Sequence, residues 1–419
     1  MKKYIVVMLF SFLMASCGQE TEKIHLGENL RDKCHLVCMD SLKIVADSLS
    51  GNGNFYMKDS VLTFADMTLC TLFHFNLNNG KELGHNFDKG NGRNEFSSLM
   101  YAYPINGSDK YYAMDSSLGF YIYDDRKGQI DKISKLDFGW NDKKQDFDSP
   151  ALYNLMYMTE FGMNISKVND STLMLPVSII DRNLTNITKK RYEEGHIFAE
   201  VNSNNFKVTK VFGNFPDIFK EKASNVLEFF QYDKIGDTLY VNHSVDSLVY
   251  VYKYPDKLLY TIGFEAQGAK RDYPERLVKD HSVFKEDVAN LSINSGLKFD
   301  NGYLVRTVML NMLTGETVMQ IYSNDNLVGE FKMPSMFKYL GYYNGYFYGI
   351  SLLPRQENDK FYYLEKETHI YQVEKEICTD IVNSNKLNSD ISLDKIKHKV
   401  IFPYQLCDGK AFLIDENVM

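Results

Sequence analysis

The sequence predicts an all-β protein built as a single β-propeller, with six blades of four antiparallel strands. The composition includes 14% aromatic residues, mainly 29 Tyr and 28 Phe, and these residues favour pleated, half-buried surfaces. From residue 50 onward, short segments alternate apolar and polar residues and are separated by turn residues. They form six sets spaced by roughly 40 to 60 residues, a repeat typical of propeller blades. A β-sandwich array and a seven-bladed propeller are the alternatives.

The predicted strands follow one another with little else between them. Asn79-Gly80, Asn301-Gly302 and Asn344-Gly345 mark tight hairpins, since both residues tolerate positive φ. Two helix-like segments, Asp217–Phe230 and Tyr273–Asn290, connect blades. The predicted strands are 61–66, 71–77, 81–87, 110–114, 120–124, 129–133, 162–168, 172–179, 196–201, 207–212, 238–242, 248–252, 257–264, 302–309, 317–323, 327–332, 345–352, 360–364 and 369–375. A further strand within 41–47 is expected to complete the last blade and so close the propeller.

The N-terminus has the pattern of an export signal. Lys2 and Lys3 precede a largely apolar run, Tyr4–Leu13, which is too short to span a bilayer as a permanent helix. The following residues, Leu-Met-Ala-Ser-Cys, resemble the lipobox of bacterial lipoproteins. That resemblance implies cleavage after residue 16 and lipidation of Cys17. The alternative is a soluble secreted protein in which Cys17 is incidental.

The domain organisation follows from this signal. Residues 1–16 are the predicted signal peptide, 17–34 a tether and 35–419 the propeller. Two or three acyl chains on Cys17 would anchor the protein stably, because each buried methylene contributes about 0.8 kcal/mol. The acidic start after Cys17 resembles the export tags of Bacteroidetes surface lipoproteins. We therefore expect a monomer anchored by its lipid to the outer membrane, with the periplasmic or surface side left open.

The net charge argues against nucleic-acid binding. The chain has 47 Lys and Arg against 55 Asp and Glu, a net charge of −8. Removal of the signal peptide takes away Lys2 and Lys3 and makes the charge −10. Such a surface repels phosphate backbones, and we expect no nucleic-acid partner.

The cysteines do not predict a metal site. Five remain beyond Cys17, namely Cys34, Cys38, Cys70, Cys378 and Cys407, and their disulfide pairing is left open. Cys34 and Cys38 lack a second pair at zinc-like spacing. If they lie on one strand, their sulfurs are about 13 Å apart and cannot bridge each other. We expect buried structural cysteines, with Cys34 or Cys38 close to Cys378 or Cys407.

One short motif stands out after the first set of strands. It reads Gly-Asn-Gly-Arg-Asn-Glu-Phe over residues 90–96, and a shorter echo covers 268–273. The motif resembles the blade link G-x-G-P-G-E-F of the TolB-like six-bladed β-propeller lipoproteins of Bacteroidetes. This sequence keeps Gly90, Gly92, Glu95 and Phe96 but has Arg-Asn in place of Pro-Gly. The resemblance covers most of the chain in layout, and only this link in residues.

The motif is interpreted as structural. It lacks the third glycine and the following helix of a phosphate-binding loop. Gly90 and Gly92 are expected to supply backbone angles that other residues avoid, and Phe96 to pack into the seam between two blades.

No catalytic residue, metal ligand or cofactor is nominated. The histidines form neither H-x-H nor H-E-x-x-H, and G-x-S-x-G is absent. We therefore expect a non-enzymatic propeller that binds a protein or a small ligand on one face. The alternatives are a propeller hydrolase or lyase with its site in the axial channel, and a carbohydrate-binding accessory lipoprotein. The Tyr-rich stretch 339–348 suits a glycan platform, although such clusters more often fill seams between blades.

Overall fold

The structure is a computed structural model, and within the residues that it describes the chain is almost entirely β. The two short helices are α1 (Lys190–Glu194) and α2 (Asp217–Glu221). The expectation of an all-β protein is confirmed. The described residues are 24–38, 42–44, 49–50, 53–92, 94–116, 119–124, 127–138, 156–159, 164–180, 189–277, 290–312, 314–350, 356–357, 360–361 and 399–408.

The strands are short and are joined mostly by tight turns. Those before residue 140 are β1 (Cys34–Cys38), β2 (Leu42–Ile44), β3 (Gly53–Lys58), β4 (Val61–Asp66), β5 (Thr71–Asn76), β6 (Glu82–Asn86), β7 (Asp88–Lys89), β8 (Glu95–Phe96), β9 (Tyr101–Asn106), β10 (Lys110–Met114), β11 (Phe120–Asp124) and β12 (Gln129–Ser134). Those from 156 to 262 are β13 (Met156–Thr159), β14 (Ile165–Asn169), β15 (Thr172–Ile180), β16 (His196–Asn202), β17 (Val208–Asn214), β18 (Phe230–Ile235), β19 (Thr238–His243), β20 (Val249–Lys253) and β21 (Lys257–Ile262). The remainder are β22 (Ile293–Asp300), β23 (Tyr303–Asn311), β24 (Glu316–Ser323), β25 (Asn326–Met333), β26 (Lys338–Tyr343), β27 (Tyr346–Ile350), β28 (Gln356–Glu357), β29 (Lys360–Phe361) and β30 (Lys399–Asp408).

The strands form antiparallel sheets of consecutive members. Strands β3–β6, β18–β21 and β22–β25 are separate four-stranded sheets. Strands β9–β12 and β14–β17 belong to one larger sheet, because β9 and β14 pair in parallel and β13 adds to β15. Strands β26, β27, β30 and β1 form a further sheet, and β2 also pairs with β30.

The first strands of these groups contact each other in order. Strand β22 contacts β18 on one side and β26 on the other, and β26 in turn contacts β3. The Tyr56 and Tyr103 rings, 5.8 Å apart, connect β3 to β9, and β9 pairs with β14. The Tyr232 hydroxyl of β18 donates to the Asn164 carbonyl just before β14. This arrangement is propeller-like, with the first strands innermost.

Strand β30 joins the two ends of the chain. One of its edges pairs with β27, and the other pairs with β1 over Tyr404–Asp408 and with β2 over Lys399–Ile401. The predicted strand within 41–47 is therefore confirmed as β2, and β1 extends the same edge.

The hydrophobic core lies between neighbouring sheets, where most of the buried aromatic residues are found. One cluster joins Phe64 and Phe75 of the β3–β6 sheet to Leu340 and Tyr348 of the next. Another places Tyr339 with residues of β23 and β24. These contacts put Tyr339 and Tyr348, both under 10% exposed, in the seams between sheets.

Several first strands escaped prediction from the sequence. Strands β3, β9, β18, β22 and β26 were not predicted, because polar residues, Gly or Pro interrupt their alternation. Strand β9, for example, contains Pro104, which is tolerated where the backbone N–H needs no ladder partner. The first helix-like segment is helical only in part, because helix α2 ends at Glu221 and Phe230 begins a strand. In the second segment, residues 273–277 are not helical, and residues 278–289 lie outside the described residues.

The Asn-Gly turns at 301–302 and 344–345 are confirmed. All four residues have positive φ, from 49° to 90°, and each pair connects strands through a two-residue loop. No helix among the described residues is long and apolar enough to cross a bilayer.

The closing strand β2 makes a testable contribution to stability. Ile44 is 1% exposed and packs against the β3–β6 sheet. We expect Ile44→Ala to lower the free energy of unfolding by roughly 2–5 kcal/mol, through lost burial and the cavity it leaves. Ile235→Ala, at a 46% exposed site, is the matched control and should change it by less than about 0.5 kcal/mol. Equal effects in urea denaturation would contradict a closing role for β2.

A buried histidine predicts loss of stability in mild acid. His243 is 0% exposed among the rings of Phe215, Phe219, Phe230 and Tyr250, and neither ring nitrogen has a partner among the described residues. Desolvation lowers its pKa to about 3. The unfolded chain therefore takes up this proton first as the pH falls below about 6.5.

This titration should remove about 2 kcal/mol of stability between pH 7 and pH 5. His243→Phe and His243→Leu should abolish that part of the pH dependence. Urea denaturation of all three proteins at both pH values checks the expectation. An unchanged pH slope in both variants would show that other groups cause it.

Candidate functional site

The motif at residues 90–96 forms a compact turn between two sheets. Strands β7 and β8 pair in parallel across it, and the Gly90 amide donates to the Phe96 carbonyl at 3.1 Å. The Glu95 carboxylate folds back into the turn and accepts a hydrogen bond from the Gly92 amide at 2.7 Å. The backbone and Glu95 thus hold the turn together.

The reason for the two glycines differs from the one expected. Neither Gly90 nor Gly92 has positive φ, so unusual backbone angles do not explain them. A Cβ at Gly90 would lie 1.9 Å from the Glu95 Oε2, and one at Gly92 would lie 2.9 Å from its Cδ. The glycines are required because the carboxylate occupies the space of a side chain.

Asn94 stands where the resembled motif G-x-G-P-G-E-F has its Gly after Pro. It has φ of 65°, and Asn is among the few non-glycine residues that adopt this conformation readily. Its side chain also bonds to the β11–β12 hairpin, accepting from the Ile130 amide at 3.0 Å and donating to the Gly128 carbonyl at 3.1 Å. Asn94 therefore supplies both the turn conformation and a contact that glycine lacks.

Phe96 lies between two sheets. It is 2% exposed and makes edge contacts with Phe87 and Tyr121, both at 4.8 Å between ring centroids. The same cluster contains Leu72 of β5 and Tyr123 of β11. The motif is thus a packing element between two sheets.

The echo at 268–273 is built differently. Gly268 has φ of 82°. Arg271 pairs with Glu265 at 2.8 Å and donates to the Asn294 amide oxygen at 3.0 Å. Tyr273 is 2% exposed and donates to the Lys222 carbonyl at 2.7 Å. This link is held by the half-buried Arg271 side chain instead of a folded-back carboxylate.

The cysteine predictions are tested only in part. Cys17 and Cys378 lie outside the described residues. Cys34 and Cys38 share strand β1 as expected, and the backbone register places Cys407 opposite His35, next to Cys34. Cys34 and Cys70 are buried.

The ring of first strands gathers polar groups that the sequence did not nominate. Asp233 of β18 is 5% exposed, and burial raises the pKa of its carboxyl. One oxygen accepts from the Asn106 amide at 3.1 Å and from the Lys234 amide at 2.9 Å. The other accepts from the Phe299 amide at 2.8 Å. Asp233 therefore connects three first strands, β9, β18 and β22.

A second carboxylate repeats this role between β22 and β26. Asp300 accepts from the Tyr342 amide at 2.8 Å and lies 3.6 Å from the Lys298 ammonium. Lys298 also donates to the Leu340 carbonyl at 2.7 Å. A Cβ at Gly341 would approach Lys298 Nζ at 2.8 Å and Asp300 Oδ2 at 3.1 Å, so glycine admits this ion pair.

Lys338 differs from its neighbours in having no partner. It begins β26 and is exposed, and no hydrogen bond or ion pair joins it to the described residues. Its pKa is nevertheless lowered to about 8, first because the surrounding protein limits its hydration and second because Lys298 repels it.

These residues define the candidate site, called here the axial cluster: Asn106, Asp233, Lys298, Asp300 and Lys338. Its two carboxylates are committed to backbone amides of neighbouring strands, whereas Lys338 remains available to an anion. No set of three or more His, Cys, Asp or Glu suited to a metal ion occurs among the described residues. One weak signal for these residues is present in the sequence. Asp-Lys at 233–234 and Lys-Phe-Asp at 298–300 interrupt segments that are otherwise mostly apolar.

The steric role of Gly90 can be separated from a backbone role by a double-mutant cycle. We expect Gly90→Ala to destabilise the protein by roughly 1–3 kcal/mol, because the new methyl displaces the Glu95 carboxylate. In a Glu95→Ala background, the same change should cost far less, giving a coupling energy of about 1 kcal/mol or more. Thermal and urea unfolding of the four proteins measure it. Full additivity would show that the cost of the added methyl does not come from its contact with the Glu95 carboxylate.

The fold resembles solved bacterial structures at low sequence identity. No protein-family model matches the sequence, and no curated protein matches it. A member of the DUF4221 family from Bacteroides vulgatus is similar at a TM-score of 0.62 and 12% identity, over 90% of this chain and 99% of that one. A putative exported protein from Bacteroides fragilis is similar at 0.52 and 14%, over 93% and 99%. At these identities the likeness establishes the fold.

Proposed function

We propose that this chain is an exported, lipid-anchored lipoprotein whose six-bladed propeller binds an anionic group at the axial cluster. Its ligand is a carboxylate- or phosphate-bearing small molecule, or an acidic side chain of a partner protein. The lipobox-like residues ending at Cys17 support the anchor, and one of the similar structures is described as an exported protein. The acidic residues after Cys17 resemble the export tags of Bacteroidetes surface lipoproteins and support an outer-membrane location.

The blade count of six rests on the order of the strand groups. Five of them, β3–β6, β9–β12, β14–β17, β18–β21 and β22–β25, each contain four consecutive strands. The sixth combines β26, β27 and β30 with β1 from the N-terminus. This composite blade follows the usual way in which a propeller avoids exposed sheet edges.

The observation that carries the binding proposal is the unpaired Lys338. The acids nearby, Asp233 and Asp300, accept from backbone amides and so have a structural task. A poorly hydrated ammonium beside a second lysine gains more from an anion than a fully solvated one does. The arrangement therefore favours binding over acid–base catalysis.

Sulfate is a suitable probe because its charge is constant across the relevant pH range. We expect sulfate at about ten times its Kd to raise the free energy of unfolding by about 1.4 kcal/mol, measured against chloride at equal ionic strength. Lys338→Met should abolish the effect, and Lys338→Arg should restore it. Lys332→Met, which removes an exposed lysine on the outer strand β25, is the matched control.

The same binding should weaken as the pH rises through about 8, because Lys338 then loses its proton. Calorimetric titration with sulfate at about pH 7 and pH 9.5 measures this. Binding that is equal in Lys338→Met and the parent protein would refute the axial site.

A further inference from the structure

The N-terminal segment runs along the outer edges of two sheets. Residues 24–33, called here the strap, begin with a parallel bridge to β21, where the Leu26 amide donates to the Thr261 carbonyl at 2.8 Å and the Thr261 amide donates to the Ile24 carbonyl at 2.8 Å. The strap then bridges β25 through Asn29 and Leu327 and continues into β1. Within the predicted tether of residues 17–34, the described residues from Ile24 onward thus pair with these two sheets.

Side-chain contacts also hold the strap against the two sheets. Arg31 pairs with Glu330 at 3.2 Å and donates to the Glu265 carbonyl at 3.1 Å. The Glu330 side chain is only 4% exposed and also accepts from the Gln320 amide at 2.6 Å. Gly27 is necessary, because a Cβ there would lie 2.1 Å from the Asp325 carbonyl oxygen. The strap is thus an integral part of the two sheets.

The strap edge exposes apolar side chains. Ile24 is 58% exposed and Leu26 is 38% exposed, and on the adjoining strand Leu259 is 40% exposed. These are three of the five large hydrophobic residues that the described part of the chain exposes. Such grouping at one edge, beside the route to the lipid, indicates contact with an apolar environment.

The distance to the lipid restricts which edge can face the membrane. Seven residue steps separate Cys17 from Ile24, so this linker spans at most about 25 Å when fully extended. A domain of this size is about 55 Å across. The strap edge is therefore always the side nearest to a lipid on Cys17, and the opposite edge cannot replace it.

We propose that the edge formed by Ile24, Leu26 and Leu259 rests on the bilayer surface that holds the Cys17 lipid. This inference depends on the lipid anchor proposed above. Burial of these side chains at the acyl–headgroup boundary would follow the behaviour of other interfacial apolar surfaces.

Tryptophan placed at this edge reports its depth. The lipidated full-length protein carrying Leu259→Trp is reconstituted into vesicles of phosphatidylethanolamine and phosphatidylglycerol with brominated acyl chains. We expect the added fluorescence to be quenched at least about two-fold relative to unbrominated vesicles. Leu83→Trp, at a 58% exposed site on the outer strand β6, is the matched control and should show no added quenching beyond the parent protein, which contains one Trp.

The anchor itself is tested separately by membrane fractionation of the parent protein and Cys17→Ala. If Cys17→Ala fractionates like the parent, the lipid anchor fails and the orientation falls with it. If the anchor holds but both tryptophans are quenched equally, or neither is quenched, the proposed edge is overturned while the anchor stands. If Trp at position 259 is not quenched and the protein self-associates, the membrane contact is overturned and this edge is assigned to contact with a second copy of the chain.

Discussion

The whole arrangement depends on the two edges of β30. A circular set of sheets is stable only if its last member is joined to its first, because an open ring leaves backbone donors and acceptors of a terminal strand unpaired. Here one strand does this by pairing with β27 on one edge and with β1 and β2 on the other. The seams between sheets and the contacts of the first strands can form together only once this ring is complete.

Inside the ring, apolar and polar interactions have different tasks. Aromatic residues fill the wide seams between sheets, where large flat side chains cover much area with little loss of conformational entropy. Near the axis the strands converge and backbone amides of neighbouring strands lack ladder partners. Asp233 and Asp300 accept from those amides, since a buried donor without a partner is costly. Lys338, in contrast, makes no such hydrogen bond to the backbone of the described residues.

Many of the outer strands of the sheets could be predicted from the sequence, but few of the first strands that lie near the axis. Strands such as β4, β10 and β11 alternate cleanly and end at turn residues, and their predicted bounds agree with the structure. First strands such as β22 contain Gly296 and charged residues, which locally resemble loops. The partnership of Asp233 with Phe299 joins residues far apart in sequence, which no local pattern reveals. Gly90 was identified from the motif, but the reason why glycine is needed there was not. That reason is the position of the Glu95 carboxylate, which only the folded structure shows.

The strap and β1 have a consequence for the order in which the molecule is assembled. They belong to the first part of the chain to be synthesised, whereas β30 is the last of the described strands. Until β30 is available, these N-terminal residues have no lasting partner on the composite sheet, and closing so long a loop carries an entropic cost of about 5 kcal/mol. Folding can therefore finish only after β30 has been synthesised. With the lipid anchor proposed above, the unpaired edges of the N-terminal residues would stay close to the membrane surface until β30 pairs with them.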